Sequence, residues 1–324
     1  MRKYLNGNNV PLSVAVFLAT DSYDHEEDVV SATKLMKPVR QLILGGRVPQ
    51  EKSLVDIGGL FKSRLGTALH DSIEKAWTDN HVDAMTALGY PKGVIDKVRV
   101  NPSLDSVEQD TIPVYLERRS YKTVNGQRVS GKFDFVAEGR VEDFKSTSVF
   151  MFTKGTKDDD YSLQGSIYRW LNPDIITDDV IAINFLLVDF MPARAANDPN
   201  YPNSSTPQRL IPLLSVDETQ AYITNKLNQV EQHKNTPEEE LPYCSDKDLW
   251  RSDPEYKYYK NPEKRTRSTK NFDTKQEAYS RMAKDGGVGI VVEKPGQVLA
   301  CKYCPAFPIC SQAAELIADG SLQL

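Results

Sequence analysis

The chain has 324 residues, of which 40% are hydrophobic and 26% charged, and a formal net charge of −5. That length and apolar content predict a proper core, either one large domain or a core with a small appended lobe. An acidic total argues against coating nucleic acid through bulk charge, though not against local contacts.

Residues 1–60 read as an N-terminal arm. Within it, Lys34-Leu-Met-Lys-Pro-Val-Arg-Gln-Leu-Ile-Leu44 is a short amphipathic piece. Pro38 marks a break or a helix start, and Gly45-Gly46 stops it. Next, Leu65, Leu69, Ile73 and Ala76 recur at helical spacing and predict a buried stripe, with His70 beside it. By residue type alone, a single helical histidine is more often structural than a ligand. From Tyr115 the chain reads as a meander, and Asn125-Gly126 between two β-prone runs predicts a type I′ hairpin.

The stretch Gly131-Lys-Phe-Asp134-Phe-Val-Ala-Glu-Gly-Arg-Val-Glu-Asp143-Phe-Lys145 carries the chemistry. Alternation on a strand puts Asp143 and Lys145 on one face, with Glu142 and Phe144 on the other. The short turn at Glu138-Gly139-Arg140 brings Asp134 back beside Asp143. Two carboxylates there form a hard-oxygen site for Mg²⁺ or Mn²⁺. Lys145 can stabilise developing negative charge or orient a water. Taken alone, a D-x-K on a charged surface hairpin is also common by chance.

Downstream, Leu163, Ile167, Trp170 and Leu171 predict the core face of a helix, while Gln164 and Tyr168, four apart, share a neighbouring stripe. The apolar run at 180–188 is too short to span a bilayer and reads as a central strand buried on both faces. Residues 192–207 read as an exposed loop. Ser215-Val-Asp-Glu218 opens a helix with a capping box, and Ile223, Leu227 and Val230 supply its buried stripe.

Taken in order, G-x-x-x-H, G-x-x-D, D-x-K-S/T and Q-x-x-x-Y resemble the RecB-like branch of the PD-(D/E)xK nuclease superfamily over residues 31–190. Ser31-Ala-Thr-Lys-Leu35 resembles the Ser-x-Ser/Thr-x-Leu entry to that family's first helix. The resemblance implies that His70, Asp134 and Asp143 are metal ligands, with the Phe144 carbonyl as a further one. It implies that Lys145 is the catalytic lysine, and that Gln164 and Tyr168 position the substrate strand. Glu117 sits where many relatives carry another acid, although beside Arg118 and Arg119 it can simply be ion-paired.

The four cysteines are Cys244 and the C-x₂-C-x₅-C group Cys301, Cys304 and Cys310. This triple resembles the C-terminal cysteines of iron–sulfur RecB-like nucleases, including the CRISPR-associated ones and the AddAB helicase-nuclease. Four thiolates suit a [4Fe–4S] cluster or a structural Zn²⁺. In those families the fourth cysteine usually precedes the nuclease core, whereas Cys244 follows it. With no secretory signal read at its start, the chain is expected to be cytoplasmic and its cysteines free of disulfides.

Between Cys244 and Cys301 the run at 256–270 has six Lys or Arg against one Glu, with three tyrosines interleaved. Lys257, Lys260, Lys264, Arg265 and Arg267 can hold phosphates, and Tyr256, Tyr258 and Tyr259 can stack on bases. A solvated ribbon is the equally weighted alternative. Thr274 then caps a helix to about residue 283, before a strand over 288–292.

The expected fold is α/β: a restriction-endonuclease-like core with a mixed central sheet flanked by helices, plus a small cysteine-cluster lobe. The expected division is an arm at 1–60, a nuclease core at 61–214 and a C-terminal helical and cysteine lobe at 215–324. By the resemblance, the expected activity is metal-dependent exonucleolytic hydrolysis of DNA at linear ends or on a single strand. The setting would be recombination, repair or phage DNA processing, with a helicase or recombination protein as partner and no membrane. The rivals are a structure-specific or single-strand endonuclease working with a helicase, and a non-catalytic nucleic-acid-binding module.

Overall fold

The apolar run at 180–188 forms the strand Val180–Leu187, in which Ile181, Ala182, Ile183, Phe185 and Leu187 are all buried. It lies inside a six-stranded mixed sheet, next to the edge strand Gln208–Pro212. On its other side the order continues through Arg140–Thr147, Phe135–Ala137 and Ile112–Leu116 to Val98–Val100. Arg140–Thr147 runs parallel to Val180–Leu187, with Ile183 opposite Asp143 and Phe185 opposite Lys145. The computed structural model of the chain describes residues 4–20, 26, 28–49 and 55–324.

Two turns set the register. Glu138 and Gly139 have φ of 51° and 81°, and Asn125 and Gly126 have φ of 49° and 79°. Both pairs are two-residue loops with positive φ throughout, the type I′ geometry that matches strand twist. The first folds Phe135–Ala137 against Arg140–Thr147. The second folds Arg119–Val124 against Gln127–Lys132, whose other edge takes Val29–Ser31 in parallel.

Each sheet face carries a helix. Asp158–Leu171 covers one, burying Ile167, Trp170 and Leu171 with Val141, Ile181 and Ile183. The approach is close because residue 165 is glycine: a Cβ there would stand 2.9 Å from Ile181. Helix Phe61–Ala87 covers the other face, where Trp77 packs at 5.2 Å (ring centroids) against Phe135.

This second helix corrects a sequence expectation. Helical spacing is right, but Leu65 is exposed, Ala76 is exposed, Leu69 and Ile73 are half-buried, and no described residue of the helix is buried. The stripe that meets the sheet side runs through Gly66, His70 and Trp77. A helix face that lines a polar site cannot be phased by hydrophobicity alone.

The chain forms two compact units, Met1–Met36 with Leu54–Asn228, and Lys37–Ser53 with Gln229–Leu324. These boundaries differ from the division at 60 and 214 read from sequence. Strand Val29–Ser31 is part of the first unit's sheet structure, and helix Val39–Gly45 packs its Val39, Ile43 and Leu44 with Leu241 and Ala306 in the second. Neither segment is an arm. The second unit also holds the antiparallel sheet Lys270–Phe272, Glu255–Tyr259 and Ile290–Lys294, with helices Lys275–Lys284 and Ser311–Ala318. Thr274 caps the former through Glu277 N–H at 3.3 Å, as expected. The Ser215–Glu218 capping box closes reciprocally, at 3.2 Å and 2.8 Å. No helix among the described residues is long and apolar enough to cross a membrane.

Candidate metal and catalytic site

Alternation along Arg140–Thr147 divides its polar residues between two environments. Asp143 is buried at 1% exposure and lies on the side of helix Asp158–Leu171. Its Oδ1 accepts from Gln164 Nε2 at 3.0 Å, and its Oδ2 lies 2.6 Å from Lys145 Nζ. That last contact pairs the buried carboxylate directly with the lysine ammonium. Glu142 faces the other way and is held by Arg140 at 3.1 Å and Asn184 at 2.6 Å. It takes no part in the site, as the alternation predicts.

On the other side, Phe144 presents its backbone to His70. His70 Nε2 is 3.0 Å from the Phe144 carbonyl, and Nδ1 is 3.3 Å from Asp134 Oδ2. The Phe144 N–H donates to the same Asp134 oxygen at 3.2 Å. Glu117 follows strand Ile112–Leu116 with φ of 49°, and its N–H donates to the Asp134 carbonyl at 3.0 Å. Its carboxylate pairs with Lys132. His70, Glu117 and Asp134 each offer a ligand atom, all mutually within 4.8 Å, and they form the only such group among the described residues.

Burial opposes protonation of His70. The Asp134 hydrogen bond and charge, the Phe144 carbonyl and the Asp143 charge outweigh it and raise the pKa to about 9. Burial likewise pushes the Asp143 carboxyl up to about 6, against the pull of Lys145. Burial also raises Glu117, with Lys132 opposing.

The sequence-selected residues therefore divide. His70, Asp134 and Glu117 converge as a ligand set, with the Phe144 carbonyl against His70. Asp143 and Lys145 form the adjoining ion pair. Gln164 and Tyr168 join the Asp143 side of the site through one hydrogen-bond chain. Gln164 donates to Asp143, and Tyr168, only 4% exposed, meets the same Gln164 nitrogen with its hydroxyl at 2.9 Å. Lys132 was not singled out by the sequence, although it lies two residues before Asp134 in the same motif.

The four cysteines come together in the second unit, where Cys244, Cys301, Cys304 and Cys310 line one cavity with Arg40 and Asp248. All four thiols are free. Burial first, then Asp248 and the other thiols, push Cys244 up to about 12, and burial lifts Cys301 to about 11. No three of the sulfurs lie mutually within 4.8 Å. A single tetrahedral Zn²⁺ draws thiolates to about 3.8 Å of one another.

The basic run behaves as a mixture. Tyr258 and Tyr259 are buried, and the Tyr258 hydroxyl donates to the Val288 carbonyl at 2.9 Å. They supply core to a small unit short of apolar side chains and present no face for base stacking. Tyr256 is half-buried, and Lys257 pairs with Glu255 at 3.0 Å. Lys260, Lys264, Arg265 and Arg267 are exposed.

No family model matches the chain, and no curated protein matches it. Among solved structures, it is similar to the one described as "Crystal structure of SSO0001", at 14% identity and a TM-score of 0.42, over 70% of this chain and 89% of that one. A likeness at that level assigns neither an activity nor a particular fold within the α/β class.

Proposed function

We propose that this chain is a Mg²⁺- or Mn²⁺-dependent deoxyribonuclease with a restriction-endonuclease-like core of the RecB-like type, acting exonucleolytically at DNA ends. One observation carries the reading. The pair of buried Asp143 and half-buried Lys145, on strand Arg140–Thr147, adjoins the group formed by His70 of helix Phe61–Ala87, Glu117 just after strand Ile112–Leu116 and Asp134 just before strand Phe135–Ala137.

Metal would be held by Asp134, Glu117 and His70, with Asp143 and the Phe144 carbonyl adjoining, and when bound it supplies a water of lowered pKa and neutralises phosphate charge. The oxygen-rich donor set suits a hard divalent cation. Lys145 holds an ammonium against Asp143 and supplies positive charge where a phosphoryl oxygen gains negative charge. Gln164 fixes the Asp143 carboxylate by one hydrogen bond, and Tyr168 fixes Gln164. The intact set of Asp134, Asp143 and Lys145 favours an enzyme over a non-catalytic binding module.

The cysteine cavity is the second half of the proposal. Four cysteines line it, which suits a thiolate-held centre, and we assign it a [4Fe–4S] cluster ahead of structural Zn²⁺ on the resemblance of the C-x₂-C-x₅-C group. Its cysteines lie far in sequence from Asp134, Asp143 and Lys145, so we give it a structural or DNA-holding part.

The test is digestion of end-labelled linear DNA with Mg²⁺ or Mn²⁺ beside a closed circular control. Release of short products from the linear substrate, with the circle intact, is expected. Cleavage of the circle would make the enzyme an endonuclease, and no metal-dependent cleavage of either would overturn the reading.

A further inference from the structure

The second unit buries a positive charge on the wall of the cysteine cavity. Arg40, on helix Val39–Gly45, has a side chain only 1% exposed. Its Nε donates to Cys310 Sγ at 3.3 Å. Nη1 donates to the Leu241 carbonyl at 2.9 Å, and Nη2 donates to Ser311 Oγ at 2.9 Å and pairs with Glu238. The guanidinium carbon also stands 5.1 Å from the centre of the Tyr243 ring. Glu238 closes the network by accepting from the Ser311 N–H at 2.9 Å, the residue directly after Cys310.

Removing a guanidinium from water is expensive unless its N–H groups find partners. A leucine or methionine would fill the same space without that penalty. Here the partners come from two separate segments, 238–243 and 310–311, and one of them is a sulfur. Four thiolates around a core of charge +2, whether Zn²⁺ or [4Fe–4S]²⁺, carry a net charge of −2. Glu238 opposes Arg40, but it is a quarter exposed and sits on Nη2, while Nε faces the sulfur.

We propose that Arg40 is a positioning residue of the cysteine site: its buried guanidinium donates to the Cys310 sulfur, offsets charge on the thiolate-bound centre and fixes Cys310 through Ser311 and Glu238. The inference rests on the metal-binding reading of the four cysteines. An N–H donor to a ligating sulfur draws electron density from it, which raises the reduction potential of an iron cluster, while holding Cys310 in place and offsetting the centre's charge favours retention of the metal. Lysine cannot replace the arginine, because one ammonium cannot reach sulfur, carbonyl, hydroxyl and carboxylate in the fork geometry.

The experiment uses the full chain as wild type, Arg40→Lys and Arg40→Gln, isolated anaerobically and reconstituted with iron and sulfide. Three quantities are read: metal released to a chromophoric chelator, midpoint potential, and Tm with and without the centre. Both variants should release metal roughly 10–100 times more readily, the scale of lost outer-shell contacts. Iron-loaded variants should show a lower potential. The Tm difference from wild type should be larger for loaded than for metal-free protein. If Arg40→Gln does not fold, Arg40→Lys, which keeps the charge, decides alone. Wild-type retention and potential in Arg40→Lys would overturn the proposal, as would an equal Tm loss in loaded and metal-free protein, which marks a merely structural arginine. Wild-type protein that holds neither iron nor zinc would overturn the cysteine reading itself, a result distinct from failure of the Arg40 variants.

Discussion

Gln164 reaches across from its helix to place Nε2 3.0 Å from Oδ1 of Asp143, giving a buried carboxylate its aligned donor from the helix side. Removing a donor to a charged group typically costs about 1.5–3 kcal/mol. Gln164→Ala is therefore expected to lower metal affinity or kcat by roughly one to two orders of magnitude. Tyr168→Phe should act in the same direction but less, because its hydroxyl touches Gln164 and not Asp143. Mn²⁺ titration with single-turnover cleavage checks both. A raised KM for DNA with unchanged metal binding would instead mark a substrate-contact role.

Asp134→Ala, Asp143→Ala and Lys145→Ala should each reduce cleavage by at least roughly 10²-fold, with the far-UV CD spectrum retained. Glu142 cannot stand in for Asp143, since Arg140 and Asn184 hold it on the opposite face. Activity near wild type in Asp143→Ala would remove it from the catalytic set.

The pH dependence of the metal-free protein follows from His70. Its folded pKa, about 9, lies above the ordinary value of 6.5. The stabilisation is therefore fully present below about pH 6.5 and is lost as pH rises through about 9. In chelator, the Tm advantage of wild type over His70→Ala should shrink across that window, from a contribution on the order of 1–3 kcal/mol. Metal uptake at neutral pH should release a proton, measurable as a buffer-dependent binding enthalpy. A Tm difference that stays constant across the window would contradict the ion pair with Asp134.

Gly165 predicts a coupled loss of stability and activity. A Cβ there would meet Leu213 at 2.7 Å and Ile181 at 2.9 Å, so Gly165→Val must lift the helix off the sheet. Overpacking of this kind costs typically about 1–3 kcal/mol. Because Gln164 is its neighbour, the same displacement should withdraw the Asp143 hydrogen bond. Thermal melts and cleavage assays on one preparation would show whether both fall together.

Cys→Ala at Cys244, Cys301, Cys304 or Cys310 should each abolish the brown colour and the expected content of about four irons per chain. Limited proteolysis should then attack the second unit first. Retained iron in any single variant would exclude that cysteine from the site.

What was legible in the sequence was local. The I′ turn at Asn125-Gly126, the short turn at Glu138-Gly139-Arg140, the buried strand at 180–187 and the Asp143/Lys145 face all follow from residue type and a period of two. The phase of the His70 helix did not, because its sheet-facing stripe includes a glycine and a histidine that no hydrophobic pattern marks. Tyr258 and Tyr259 look like stacking residues in a basic run, yet the small second unit uses them as core. Arg40 carried no signal at all. Its partners, Glu238, Leu241 and Cys310, lie 198, 201 and 270 positions away.

That separation has a consequence during synthesis. At roughly 5–20 residues per second, Arg40 leaves the ribosome some 14–54 s before Ser311, which lies 271 positions later. The helix bearing Arg40 must wait for nearly the whole chain before its burial site exists. For the same reason a fragment beginning at residue 229 lacks part of its own wall, and it should fold and retain metal only when residues 37–53 are supplied, fused or in trans.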